Sequence, residues 1–78
     1  MFEILPSACK HDIRKEEIGY AIRHHRDAAP FVDRAGDLAM AFTGPRHAGA
    51  LERDYIEVYV KETENGDFIV FHALTATR

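Results

Sequence analysis

Apolar and polar residues alternate through Tyr55-Ile56-Glu57-Val58-Tyr59-Val60, and a second apolar run spans Phe68 to Leu74. Between them stands Glu64-Asn65-Gly66-Asp67. Alternation places successive side chains on opposite faces of a strand, and Asn-Gly between two such runs signals a two-residue type I′ turn, which needs φ > 0 at both central positions. The pattern therefore predicts a hairpin in which Glu64 faces Asp67. Counting outward places Val60 opposite Phe71, Val58 opposite Ala73 and Ile56 opposite Thr75. On the other face it sets Lys61 opposite Val70, Tyr59 opposite His72 and Glu57 opposite Leu74. One face is nearly all apolar and reads as core; the other brings Tyr59, His72 and Glu57 within cross-strand reach.

Upstream the period changes. Ile18, Ala21, Ile22 and His25 recur at helical spacing, with Arg14, Lys15, Glu16 and Arg23 outward, which predicts a helix over 13–25 with Asp12 as its N-cap. Pro6 to His11 reads as a short helical turn started by proline, and Phe2 to Leu5 as a short edge strand. Asp27-Ala28-Ala29-Pro30 breaks the pattern. Phe31-Val32 begins a short strand, Asp33 to Asp37 is a turn, Leu38 to Thr43 is a strand, and Gly44 to Gly49 is a loop. Helices early and strands late predict an α+β domain: a twisted antiparallel sheet of about four strands, two N-terminal helices packed on one face, the opposite face open.

Seventy-eight residues make one domain with a small core, so a partner or a homodimer is expected to help stabilise it. A net charge of −3 excludes a surface that is basic all over, while leaving room for a local cationic patch. The single cysteine, Cys9, has no internal disulfide partner and fits a reducing cytosol as a small core residue. No apolar stretch approaches the ~20 residues of a membrane span, and no basic-then-apolar leader opens the chain. A soluble, cytoplasmic protein is expected.

Five strings carry a likeness. They are Phe2-Glu3-Ile4 before a short helix, Lys10-His11 two residues ahead of a helix, Gly44-Pro45-Arg46 between strands, Leu51-Glu52 near the next strand, and Phe71-His72-Ala73 on the last one. With the order of elements, they resemble the BrnT-like toxins of bacterial toxin–antitoxin modules, small ribonucleases with a RelE-type fold. The resemblance covers most of the chain. It implies helices on one side of an antiparallel sheet and a concave side that receives RNA or is covered by a cognate antitoxin.

Metal-independent RNA cleavage needs a base for the 2′-hydroxyl, an acid for the leaving oxygen, and cations for the charge that grows on phosphorus. Histidine suits the first two tasks. His72 is the leading candidate, with Tyr59 to orient it or share proton transfer and Glu57 to fix its tautomer. A cross-strand pair of this kind is also common in inactive sheets. Under the resemblance, Lys10 contacts phosphate and His11 assists proton transfer; otherwise the two are a solvated helix end. Arg46 and Arg53, with His47 between them, flank one loop and are expected to contact RNA phosphate, because arginine forks match phosphate oxygens. His24 and His25 are adjacent on a helix and point about 100° apart, which suits no metal. No metal or other cofactor is expected. The expected function is a toxin-like endoribonuclease neutralised by an antitoxin. The alternative is a non-catalytic protein-binding or dimerising module on the same scaffold, and a third option is a small-molecule binder using the open sheet face.

Overall fold

The computed structural model describes residues 2–9 and 12–76. Five strands form one mixed sheet in the order β1-β5-β4-β3-β2: β1 (Phe2–Ile4), β2 (Asp27–Val32), β3 (Leu38–Pro45), β4 (Tyr55–Glu62) and β5 (Phe68–Thr75). Among the described residues a single α-helix, α1 (Lys15–Arg23), packs on one face.

This corrects the expected architecture of four antiparallel strands and two helices. The first predicted helix is one 3₁₀ turn, Pro6–Cys9. The stretch read as a break is strand β2, whose Pro30 sits opposite Met40. Proline lacks the N–H that an inner strand must donate, and β2 escapes that demand by lying at the sheet edge. At the other edge β1 runs parallel to β5, pairing Phe2, Glu3 and Ile4 with Phe68, Ile69 and Val70. Alternation along a strand cannot reveal that direction.

The predicted helix over 13–25 is shorter at both ends, and Arg14 rather than Asp12 is its N-cap. Arginine cannot cap with an oxygen, so the function passes to Glu17. Its Oε1 accepts the Arg14 N–H at 2.9 Å, while Arg46 forks onto the same carboxylate (Nε to Oε2 2.8 Å, Nη2 to Oε1 3.1 Å). Arg46 Nη2 also donates to the Asp12 carbonyl at 3.0 Å. The helix start is thus tied to the end of β3 by a two-pronged ion pair.

The core lies between α1 and the sheet. Ile18 and Ala21 meet Ile56, Val58, Val60, Val70 and Ala73, with Ala8 and Ile13 closing one end. Cys9 is partly buried against that core. Gly44 lets the layers touch, since a Cβ there would stand 2.5 Å from the Ala21 carbonyl oxygen and 2.9 Å from the His25 Cα. Among the described residues, no helix is long and apolar enough to cross a membrane.

Candidate functional site on the open face of the sheet

The β4–β5 hairpin differs from its predicted register in two places. The turn is not the two-residue type. Gly66 has φ +84° but Asn65 does not enter the left-handed region. Thr63 N–H donates to Asp67 O at 2.7 Å and Gly66 N–H to Thr63 O at 3.0 Å, so the loop has three residues, a type I turn followed by a left-handed glycine. The β2–β3 loop repeats this geometry, with Asp33 bonded to Asp37 and Gly36 at φ +87°. The longer loop shifts the pairing by one residue, so Val60 faces Val70 and Lys61 faces Ile69, not Phe71 and Val70.

A bulge then reverses the shift. Between Tyr59 and Val60 the register slips, leaving Phe71 as the extra residue on β5. Beyond it Tyr59 faces His72, Glu57 faces Leu74, Val58 faces Ala73 and Ile56 faces Thr75, as the simple count predicts. The bulge is pinned from the N-terminal segment: Leu5 N–H donates to Val70 O at 3.0 Å and Ser7 Oγ to Phe71 O at 3.0 Å.

A bulge turns consecutive residues toward one side, and here Phe71 and His72 both meet Tyr59 on the face opposite α1. The His72 ring stacks on Tyr59 at 5.4 Å with 10° between planes, and the Phe71 centroid lies 6.3 Å from Tyr59. Phe31 enters from β2, 5.1 Å from Tyr59 and 6.4 Å from Phe71. Lys61 Nζ stands 5.3 Å from the Phe71 centroid and is held by Asp33 at 3.3 Å and Asp37 at 3.6 Å. These rings border an open pocket of about 560 Å³, closed on one side by the 32–35 loop with Arg34.

Tyr59 Oη donates to Glu57 Oε1 at 2.9 Å. Burial, then the bond and charge of Glu57, push the phenol above its ordinary range. Tyr59 is therefore a neutral hydrogen-bond donor at physiological pH. The bond expected between Glu57 and His72 is replaced, as far as Glu57 Oε1 is concerned, by the one from Tyr59.

No protein-family model matches the chain, and no curated protein or solved structure matches it either. The likeness to the BrnT-like toxins rests on the short strings quoted above.

The other expected site residues lie elsewhere. Lys10 and His11 fall outside the described residues. Arg46 is on the helix side, bound to Glu17, and Arg53 is exposed in the 3₁₀ turn Glu52–Asp54. The structure thus joins Tyr59, His72 and Glu57 and separates them from Arg46. It adds Phe31, Phe71 and Lys61. Phe31 was legible as the start of a short strand, but its meeting with Tyr59 was not, because that depends on β2 pairing with β3 beside β4. Phe71 could not have been found, because simple pairing assigns it to the core face. Among the described residues, no group of three or more His, Cys, Asp or Glu is placed to hold a metal ion.

Proposed function

We propose that the open face binds RNA and that Tyr59, His72 and Glu57 cut it by acid–base chemistry, as a toxin-like endoribonuclease neutralised by an antitoxin. The observation that carries this reading is the near-parallel His72–Tyr59 stack with the Tyr59 hydroxyl on Glu57, set among Phe31 and Phe71 beside an open pocket. Exposed aromatic faces receive bases whatever their sequence. In this reading His72 takes the 2′-hydroxyl proton, the neutral Tyr59 phenol supplies a proton to the leaving oxygen, the His72 imidazolium returns its proton through solvent to the phenolate, and Glu57 holds the phenol in place. A cytoplasmic setting, where RNA is met, follows from it.

Purified protein incubated with single-stranded RNA in a metal chelator is expected to release fragments ending in cyclic phosphate, and His72→Ala to abolish them while folding normally. Intact RNA with the wild-type protein overturns the catalytic reading.

A protein-binding module remains the second reading, favoured by the opposite face. A nine-residue helix is roughly 14 Å long, whereas an eight-residue strand runs about 26 Å, so α1 leaves part of its own face bare. There Ile22, Leu38, Met40, Phe42, Val60 and Phe68 line an apolar groove of about 350 Å³, with Leu38 71% and Phe68 46% exposed. An antitoxin or a second copy of the chain would cover it.

A further inference from the structure

The C-terminal end of α1 carries a second concave site, remote in character from the aromatic face. Tyr20, His24, His25, Arg26 and Tyr55 line a pocket of about 390 Å³, and small side chains of the β3–β4 connection complete its wall. Two imidazoles, a guanidinium and two phenols converge there, and no carboxylate lines it. In a chain with net charge −3, the pocket gathers one guanidinium and four further hydrogen-bonding side chains.

The groups are held in place. The His24 ring lies against Tyr20, centroids 4.3 Å apart, and the Arg26 guanidinium sits 5.9 Å above the Tyr55 ring, itself buried. His25 Nδ1 is 2.7 Å from the Ile22 carbonyl, which fixes Nδ1 as the donor, and the ring meets Phe42 edge-on at 4.9 Å. Among the described residues, Arg26 and Arg23 take part in no ion pair. A neighbouring groove that shares Tyr20 and Ala48 is mixed in charge, with Arg14, Arg23 and His47 beside Glu16 and the Glu17–Arg46 ion pair.

Capping of the helix end explains the His25 bond to Ile22. The negative end of the helix dipole accounts for cations here, but neither effect explains two phenols in the same wall as a guanidinium that makes no ion pair among the described residues. Such a set, with its side chains held by ring contacts, matches a tetrahedral oxyanion. We propose that this pocket binds a phosphate group, presented as a free anion, a mononucleotide or the phosphorylated end of an RNA strand. The site stands apart from the chemistry proposed for Tyr59 and His72.

Amide NMR titrations of the intact protein with inorganic phosphate, with adenosine monophosphate, and with a trinucleotide with and without a terminal phosphate test it. Chloride at matched ionic strength is the control. Saturable shifts confined to the segments around His24–Arg26, Ala48–Ala50 and Tyr55 are expected, weakened about tenfold by Arg26→Ala, the loss of one charge-assisted contact. His24→Gln is expected to weaken them to a lesser degree in an equally folded protein. Tighter binding of the nucleotide than of phosphate assigns a nucleotide ligand, equal binding assigns the bare anion, and a gain from the terminal phosphate of the trinucleotide assigns an RNA end. Shifts that never saturate, that chloride reproduces, or that survive Arg26→Ala undiminished overturn the site. So does binding of the trinucleotide with no response to either small phosphate.

Discussion

The Ser7 hydroxyl donates to the main-chain oxygen of Phe71 across 64 positions of sequence. That oxygen belongs to the bulge residue, and the bond gives it a partner from the 3₁₀ turn where the β4 ladder skips a residue. Ser7 thus helps hold Phe71 and His72 toward Tyr59, although it is not in the cluster itself.

Ser7→Ala is expected to destabilise the fold by about 1 kcal/mol, the usual net worth of one hydrogen bond. It should also loosen the Tyr59–His72 stack. Denaturant titration measures the first effect, and the ring-current shifts of His72 measure the second. Unchanged His72 resonances would remove Ser7 from the account of the site.

Gly44 lies where β3 packs closely against the Ala21–His25 backbone. Gly44→Ala places a Cβ against backbone that cannot rotate away, and overpacking of this kind costs about 1–3 kcal/mol. A lower melting temperature is expected. Gly49→Ala, at an exposed loop position, is the contrasting control, since an added Cβ there meets nothing nearer than 3.8 Å. Equal losses in the two variants would show that close packing at Gly44 is not the cause.

Glu17 and Arg46 set the acid stability. The Arg46 side-chain hydrogen bond holds the Glu17 carboxyl below its ordinary value, burial works against it, and the Arg14 N–H and the Arg46 charge add to the lowering. A depressed native pKa means that the stabilisation is complete above the unfolded carboxyl pKa and is lost as pH falls through the native value. Asp33 has the same sign, lowered chiefly by the Asp37 N–H and, after that, by Lys61 and the Ala35 N–H. Stability is expected to hold near neutrality and to decline below about pH 4. Glu17→Gln should cost about 2 kcal/mol at neutral pH, by weakening charge-assisted bonds, and should flatten the acid decline. Parallel curves for the variant and wild type in pH-dependent melting would show that Glu17 is not the titrating group responsible.

Under the proposed ribonuclease function, binding and chemistry on the open face are separable. Phe31→Ala removes a stacking surface and should weaken single-stranded RNA binding by about 1–3 kcal/mol. Tyr59→Phe keeps the ring and removes only the proton held on Glu57, so binding should persist while cleavage falls by about 10²-fold or more. Fluorescence anisotropy and gel-resolved cleavage read the two effects. Cleavage unchanged in Tyr59→Phe would take the phenol out of the mechanism.

Much of this was legible because alternation is a local property. Residues 55–60 and 68–74 announce a hairpin, and the Ile18, Ala21 and Ile22 spacing announces a helix that buries that side. Tyr59 and His72 were paired by counting from Asn65 and Gly66, on the assumption of a two-residue turn. The pair forms even though the turn has three residues, because the bulge at Phe71 restores what the longer loop displaces. Phe31 and Val32 were legible as strand, whereas Asp27 to Ala29 were obscured by Pro30, whose local preference against a strand yields once the strand lies at an edge. Arg46 looked like a phosphate contact, since nothing local shows that Glu17, 29 residues earlier, would claim it.

The chain by itself determined that the segments around 38–43, 55–60 and 68–74 extend, that the Ile18–Ile22 segment coils and which side of the hairpin is apolar, since these follow from side-chain order within a few residues. Only tertiary structure decided the direction of β1, the place of the bulge, the partner of Arg46 and the meeting of Phe31 with Tyr59. Each depends on hydrogen-bond donors and acceptors, or on ring surfaces, brought together from distant segments. Their match is settled by the sheet as a whole rather than by any local preference.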